Sequence, residues 1–263
     1  MKSGDHEILT QATGRSCSDG PDGPGRVRWP GLLLAAITCA AITACAPRRA
    51  EQPAPGPATT APRAAVPAGA REFEIDPGAS VVSMLVRRAG KLSGFGHVHV
   101  VTSADEAGRV WFGATPDLSG FELRVPVDAL VVDDPAARAA AGPEFAAKVP
   151  EDARTGTRSH MLGPDVLDAA SYPEIVVSSA GPLEDTAPSK LKVRIVVRGA
   201  QLEREVPVTA RIGADSVSAQ GSFKVLQSEL GIKPFSIVGG AIAVADEVEI
   251  RFDVVARAAG GSR

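Results

Sequence analysis

The chain has no cysteine in the part that would form a folded domain. Its 263 residues contain three cysteines, Cys17, Cys39 and Cys45, and none follows Cys45. This absence excludes a disulfide-stapled domain and a cysteine nucleophile beyond that point. Aromatic residues make up only 4% of the chain, so a core must be built mainly from smaller apolar side chains. The formal net charge of −3 excludes the cationic excess typical of nucleic-acid-binding proteins.

Near the N terminus, an apolar run is too short to span a membrane. Leu32–Ala44 contains about 13 residues, fewer than the ~20 of a spanning helix but typical of a signal peptide. Arg26 and Arg28 precede the run. The Ile-Thr-Ala-Cys sequence that ends at Cys45 resembles the lipobox of bacterial lipoproteins, whose cysteine is acylated. We therefore predict a leader over residues 1–44 and a lipid on Cys45; a secretory signal with an incidental cysteine is the alternative.

The residues after the leader predict a tether and then one domain. Residues 45–70, which begin with the lipidated cysteine, are rich in Pro and Ala and show no apolar period, so they cannot bury enough surface to fold. Ala46 is not the aspartate that retains many lipoproteins at the inner membrane, which favours the periplasmic side of an outer membrane. Residues 71–259 form the predicted domain, and residues 260–263 a short tail.

Two-residue alternation dominates the predicted domain. In Val248–Val254, Val, Ile, Phe and Val lie on one face and Glu, Arg and Asp on the other, as in a strand with one solvated face. Many such short strands joined by Gly and Pro predict an all-β, antiparallel sandwich or barrel. The predicted strands are 73–75, 80–87, 97–103, 109–112, 121–125, 174–179, 191–195, 206–212, 217–226 and 248–254.

One stretch departs from the strand pattern. Asp133–Ala170 is rich in alanine, and Asp134 followed by Pro135 is typical of an N-cap and a first helical residue. We predict a short helical insertion between strands at this position.

Four separate stretches are similar to the motifs of one known family. They occur in the family's order along nearly all of residues 71–259, and the Tyr-Pro-Glu-Ile block is the most specific. They are Phe73–Ser80; Ser159–Asp168 with Tyr172–Ile175 and Val177–Ser179; Leu191–Gly199 with Glu205–Val208; and Gln227–Ile232 with Val244–Ile250. The chain resembles the YceI-like family of polyisoprenoid-binding or lipid-binding periplasmic proteins. Gly96–His99 and Asp128–Asp133 depart from the family pattern.

This resemblance implies a lipocalin-like antiparallel β-barrel of about eight strands. Its apolar interior would hold an isoprenoid, a quinone-like molecule or another apolar lipid, and no further cofactor is implied. The strand pattern independently agrees with a barrel that encloses one ligand. A solidly packed core with no cavity is the alternative. The residues predicted to line the interior are Met84, Leu123, Val193, Ile195, Phe223, Phe252 and Val254.

His97 and His99 are the most distinctive polar pair in the domain. Residues two apart on a strand face the same side, so both imidazoles could contact the polar end of a ligand. They could instead bind Zn, Cu, Fe or Ni with a third ligand such as His160 or Asp105. Two solvated surface histidines are the simpler alternative, and we predict no metal.

Two further groups are candidates for the entrance of the barrel. Arg158, His160 and Asp165 fall in the helical insertion and could meet a polar head group, although a surface ion pair is the alternative. Leu92 and Phe95 lie in the glycine-rich loop 90–96, which lacks the Gly-Lys-Ser/Thr ending of a phosphate-binding loop. These two side chains could form an apolar lip.

Nothing in the sequence predicts catalysis. Only four histidines are present, and no Gly-x-Ser-x-Gly motif accompanies them. We therefore predict a non-enzymatic carrier of an apolar lipid at the bacterial cell envelope, with a homodimer left open. A metal-binding or redox-associated accessory protein that uses His97 and His99, and an envelope interaction module without a ligand, are the alternatives.

Overall fold

The computed structural model describes residues 60–103, 105–186 and 188–259. The predicted leader 1–44, the lipidation at Cys45, residues 45–59 of the predicted tether and the tail 260–263 lie outside the described residues. The described chain forms one antiparallel sheet with two α-helices, α1 (Pro135–Ala141) and α2 (Glu151–Leu162). Its strands are β1 (Arg71–Ile75), β2 (Val81–Ala89), β3 (His99–Thr102), β4 (Ala107–Phe112), β5 (Gly120–Pro126), β6 (Val131–Val132), β7 (Glu174–Ser179), β8 (Lys190–Val197), β9 (Ala200–Pro207), β10 (Thr209–Ile212), β11 (Ser216–Leu226), β12 (Ser236–Ile237) and β13 (Ile242–Ala258).

The predicted fold class is confirmed, and the long strand β13 organises it. One edge of β13 pairs with β2 and then with β1, while the other edge pairs with β12 and β11. Eight strands follow one another as the wall of the barrel, in the order β11, β13, β1, β4, β5, β7, β8 and β9. The remaining five described strands extend this wall or are short pairings at its edges.

The barrel is not fully closed by backbone pairing. Among the described strands, β9 pairs with β8, and β11 pairs with β10, but no ladder joins β9 to β11. Residues 206–212 were predicted as one strand, but the structure divides them at Val208 between β9 and β10. Pro207 explains the division, because proline has no backbone N–H to donate to a ladder.

Apolar side chains inside the barrel form its main core. Val193, Ile195 and Val197 alternate along β8 and pack with Val206 and Val248 from other strands. Phe73 and Ala256 belong to a second buried group toward the other end of the barrel. Complete burial of a Val or Phe side chain contributes about 1.5–3 kcal/mol, so both groups stabilise the fold.

The helical insertion lies where the sequence predicts it, and its first helix is capped as expected. Asp134 Oδ1 accepts a hydrogen bond of 2.9 Å from the backbone N–H of Ala137, and Pro135 is the first helical residue. Phe145, just after α1, packs against Leu85 and Val100 on the outer face of the sheet. The insertion thus covers one outer face of the barrel. No described helix is long and apolar enough to cross a bilayer.

The described end of the predicted tether lies along the outside of β4 and β5. The backbone N–H of Ala64 donates to Glu122 Oε2 at 2.9 Å, and Arg109 donates to the carbonyl of Ala64 at 2.9 Å. Arg124 donates to the carbonyl of Pro62, also at 2.9 Å. The first strand then begins at Arg71, the predicted start of the domain.

Candidate ligand-binding cavity

An apolar cavity of about 140 Å³ lies inside the barrel. Side chains from strands on opposite sides of the wall reach it, so it occupies the middle of the barrel between the two buried groups. Its lining residues are Ile75, Val82, Arg109, Val110, Phe121, Glu122, Leu123, Val177, Leu191, Val193, Val206, Ala219, Phe223, Ile250, Phe252 and Val254.

The register of β11 and β13 shapes one wall of this cavity. Ala219 lies opposite Val254, and Phe223 lies opposite Ile250. Between these pairs Gly221 lies opposite Phe252, where a Cβ atom would approach the Phe252 ring to 2.8 Å and the carbonyl of Pro207 to 2.4 Å. Only glycine therefore leaves room for the Phe252 ring at this position. The ring packs edge-on against Phe223, with centroids 6.3 Å apart.

The two charged lining residues have their polar atoms engaged with other groups. Arg109 donates to Glu72 at 3.0 Å and to the Ala64 carbonyl. Glu122 accepts from Arg124 at 2.8 Å and from the Ala64 N–H. Burial by itself raises the pKa of Glu122, but these hydrogen bonds outweigh it and hold the pKa below its ordinary value. The cavity therefore offers a ligand an apolar surface and no free charge among its described lining residues.

The volume limits what the cavity can hold as it stands. An apolar protein cavity of about 150 Å³ is large enough for benzene. A cavity of about 140 Å³ therefore accommodates roughly a single isoprene unit. A longer apolar chain requires movement of the surrounding side chains, and Phe223, Ile250 and Phe252 are only partly buried against the core.

Five of the predicted lining residues reach the cavity. They are Leu123, Val193, Phe223, Phe252 and Val254. Met84 and Ile195 also point inward but pack within the neighbouring core. The sequence analysis missed the other apolar lining residues, all of which lie in predicted strands and were detectable by the same alternation: Ile75, Val82, Val110, Phe121, Val177, Leu191, Val206, Ala219 and Ile250. Contact with a ligand stays a prediction for all of them.

The predicted polar contacts lie away from the cavity. Arg158 donates to the carbonyl of Asp128 at 2.5 Å, and the His160 ring packs against Phe235 with centroids 4.5 Å apart. Neither contact joins these side chains to each other or to Asp165, and none of the three lines the cavity; contact with a polar head group stays a prediction. Positions 158 and 160 are two residues apart on α2 and therefore do not face each other.

His99 is held by a buried carboxylate, which the sequence analysis missed. Its Nδ1 lies 2.6 Å from Asp133 Oδ2, and its Nε2 lies 3.4 Å from the Thr157 hydroxyl. Asp133 is 1% exposed, has a φ of 57°, and also accepts from the Val100 N–H and from Arg138. Burial opposes the charge on Asp133, but these donors lower the pKa of its carboxyl below the ordinary value. This cluster ties the helical insertion to β3.

The pair His97 and His99 does not share a strand face, because β3 begins only at His99. The Val98 carbonyl, just before β3, accepts a hydrogen bond from Arg138 at 2.8 Å. The two rings lie 6.2 Å apart, and His99 Nδ1 already faces Asp133. No three His, Cys, Asp or Glu residues of the described chain come close enough together to hold a metal ion. The metal hypothesis therefore gains no support from the arrangement of these histidines.

Comparison with known proteins identifies the family. The YceI-like domain model matches residues 73–256, from β1 into β13. The chain belongs to the YceI-like family. This match confirms the resemblance drawn from the sequence motifs. No curated protein matches the sequence.

Solved structures with a similar fold come from several bacteria. Burkholderia cenocepacia BcnA is 16% identical, with coverage of 69% of this chain and 98% of that chain and a TM-score of 0.48. A polyisoprenoid-binding domain from Saccharophagus degradans, implicated in plant cell wall breakdown, is 9% identical, with coverage of 71% and 98% and a TM-score of 0.49. The Campylobacter jejuni YCEI protein is 10% identical, with coverage of 60% and 84% and a TM-score of 0.42.

Proposed function

We propose that this YceI-like protein binds the chain of an isoprenoid or another apolar lipid inside its barrel and carries it without chemical change. The observation that carries this proposal is the cavity, whose lining is apolar and whose two charged residues are already paired. A structurally similar domain from S. degradans is described as polyisoprenoid-binding.

The energetics favour a ligand longer than the cavity itself. Burial of one methylene contributes ~0.8 kcal/mol, so a five-carbon unit gains ~4 kcal/mol, which corresponds to about millimolar affinity. A useful carrier needs tighter binding, and therefore more buried carbon atoms. We infer that a bound lipid displaces the rings of Phe223 and Phe252 and extends along the inner face of the barrel.

We also propose that the barrel works at the cell envelope, anchored through a lipid on Cys45. The support is the lipobox-like sequence that ends at Cys45 and follows a short apolar run. Metabolic labelling with a fatty acid precursor should mark the wild-type chain and not a Cys45→Ser variant. A wild-type chain that takes up no label would refute the anchor but leave the cavity proposal intact.

Mass spectrometry of bound lipid tests the carrier function. The Cys45→Ser chain is exported in a bacterial host, purified without detergent and extracted with organic solvent. A recurrent polyprenyl or quinone species near one per chain is the expected result. A Val193→Trp variant, which places a large ring in the cavity, should lose this species, while Lys192→Trp on the opposite face of β8 should keep it. An empty extract from folded wild-type protein would refute the proposal.

A further inference from the structure

Two loops at one end of the barrel expose large apolar side chains: residues 90–98 between β2 and β3, and residues 231–241 before β13, which include the two-residue strand β12. Five of the nine exposed large apolar side chains of the described residues fall in these loops, although the loops are short. Phe95 is 79% exposed and Val238 is 69% exposed. We define the apolar rim as Leu92, Phe95, Phe235, Ile237 and Val238.

The two loops form one surface because their backbones are joined. The N–H of Leu92 donates to the carbonyl of Ala241 at 2.8 Å. Gly90 has a φ of 91°, and a Cβ atom there would lie only 2.4 Å from the same carbonyl oxygen. The Val244 N–H also donates to the Phe235 carbonyl, which fixes the second loop to β13. Backbone hydrogen bonds thus hold the two loops together, and the apolar rim is one continuous surface.

The charged side chains within and next to the two loops are all cationic. Residues 88–99 and 230–245 contain Arg88, Lys91 and Lys233 but no Asp or Glu. Both lysines are exposed, and neither belongs to an ion pair of the described chain. Exposed apolar side chains flanked by cations are the combination that binds the interface of an anionic bilayer.

The described chain before β1 runs away from the apolar rim. The end of β5 at Pro126 and the start of β13 at Ile242 both point toward the rim. Pro62 contacts Arg124, whereas Ala64 contacts Glu122, which lies farther from this end of β5. From Pro62 to Ala64 the described chain therefore lies progressively farther from the rim. About 15 residues separate Cys45 from Thr60, a reach of at most ~50 Å.

We propose that the apolar rim docks the barrel end-on against an anionic bilayer, with Phe95 and Val238 inserted among the head groups. The predicted anchor at Cys45 would keep the barrel close to the same membrane. This contact is independent of a ligand in the cavity, since neither Phe95 nor Val238 lines it.

Vesicle binding by a chain without its lipid anchor tests the docking surface. The Cys45→Ser protein is sedimented with vesicles of phosphatidylcholine alone or mixed with phosphatidylglycerol. We expect binding to the mixed vesicles. Phe95→Asp and Val238→Asp should each weaken it by about tenfold or more, because each removes an inserted apolar group and adds a repelled charge. Lys91→Glu should weaken binding at low salt and have little effect at high salt.

A matched control lies at the opposite end of the barrel. Leu118 is 47% exposed in the turn between β4 and β5, and Leu118→Asp should leave vesicle binding unchanged. Equal binding by Phe95→Asp, Leu118→Asp and the parent protein would overturn the proposal, as would no binding to mixed vesicles. A dimer that Phe95→Asp dissociates, without vesicle binding, would assign the rim to a second copy and also overturn it. Bound lipid is measured on each variant, so failure of the carrier function stays distinguishable.

Discussion

Filling the cavity should separate ligand binding from folding. Ala219 lies on β11 opposite Val254, and its methyl group faces the cavity. Ala219→Leu adds three carbon atoms at this position. If the cavity is empty space kept for a ligand, the larger side chain should occupy it without moving the strands. The variant should then fold normally and bind less lipid.

The size of the effect follows from the volume of the cavity. An unfilled cavity costs about 24 cal/mol per Å³, so about 140 Å³ corresponds to ~3 kcal/mol relative to a filled core. Leucine at position 219 fills roughly half of this volume and should stabilise the lipid-free protein by about 1–2 kcal/mol. A core already packed to normal density would instead be destabilised by about 1–3 kcal/mol. An empty cavity and a packed core therefore predict changes of opposite sign in the free energy of unfolding.

Urea unfolding of the lipid-free protein measures whether Ala219→Leu raises or lowers the stability. The control is Gln220→Leu, which adds a similar side chain to the next residue of β11 on the exposed face. Ala219→Leu should raise the urea midpoint and reduce the lipid recovered by extraction, whereas Gln220→Leu should change neither appreciably. A lower midpoint for Ala219→Leu, together with an unchanged lipid content, would refute the idea that this space is a ligand site.

Three other substitutions test individual contacts, two of them next to the cavity and one at the helical insertion. Arg124→Met leaves the carboxylate of Glu122 buried without its cation and should lower the free energy of unfolding by about 3 kcal/mol in urea; an unchanged value would contradict this role. Gly221→Ala should cost about 1–3 kcal/mol in the same assay because its methyl group meets the Phe252 ring, and a neutral result would contradict the close approach. The pKa of Asp133 is lower in the folded state than its ordinary value of 3.8, so the carboxylate stabilises the fold at pH values above 3.8. This stabilisation is lost as the pH falls through the folded-state pKa. Asp133→Asn should therefore be less stable near neutral pH and show a flatter loss of stability in acid by thermal unfolding; an acid profile parallel to wild type would refute this assignment.

Alternation predicts most of the sheet but not where each strand stops. The run 248–254 identifies β13, yet the strand extends over Ile242–Ala258 because its ends are paired with β12 and β1. Only tertiary pairing sets that length. The predicted strand 97–103 starts two residues too early, since β3 begins at His99. The carbonyl of Val98, just before it, binds Arg138, which is distant in sequence. Contacts of this kind produce no periodic pattern in the sequence.

The sequence predicts which residues face the inside of the barrel, but not which of them line the cavity. Val193 and Ile195 are two residues apart on the same face of β8, yet the first lines the cavity and the second packs in the core. Alternation assigns both to the interior equally well. Which one borders empty space depends on the side chains that reach it from the opposite wall, and their positions depend on strand register. The sequence does not predict the buried carboxylate of Asp133 either, since its partners His99 and Arg138 come from separate elements.

The scarcity of aromatic residues and the presence of a cavity have one physical explanation. Protein interiors normally pack without large voids, so an empty volume persists only where the facing side chains are too small to meet. On β11, Ala219 and Gly221 are the inward positions between Val217 and Phe223, and together they leave the centre of the barrel unfilled. The Phe252 ring uses the space above Gly221, while the space beside Ala219 stays open. The open space therefore depends on two small residues of one strand, and a larger side chain at position 219 should reduce the lipid that the barrel holds.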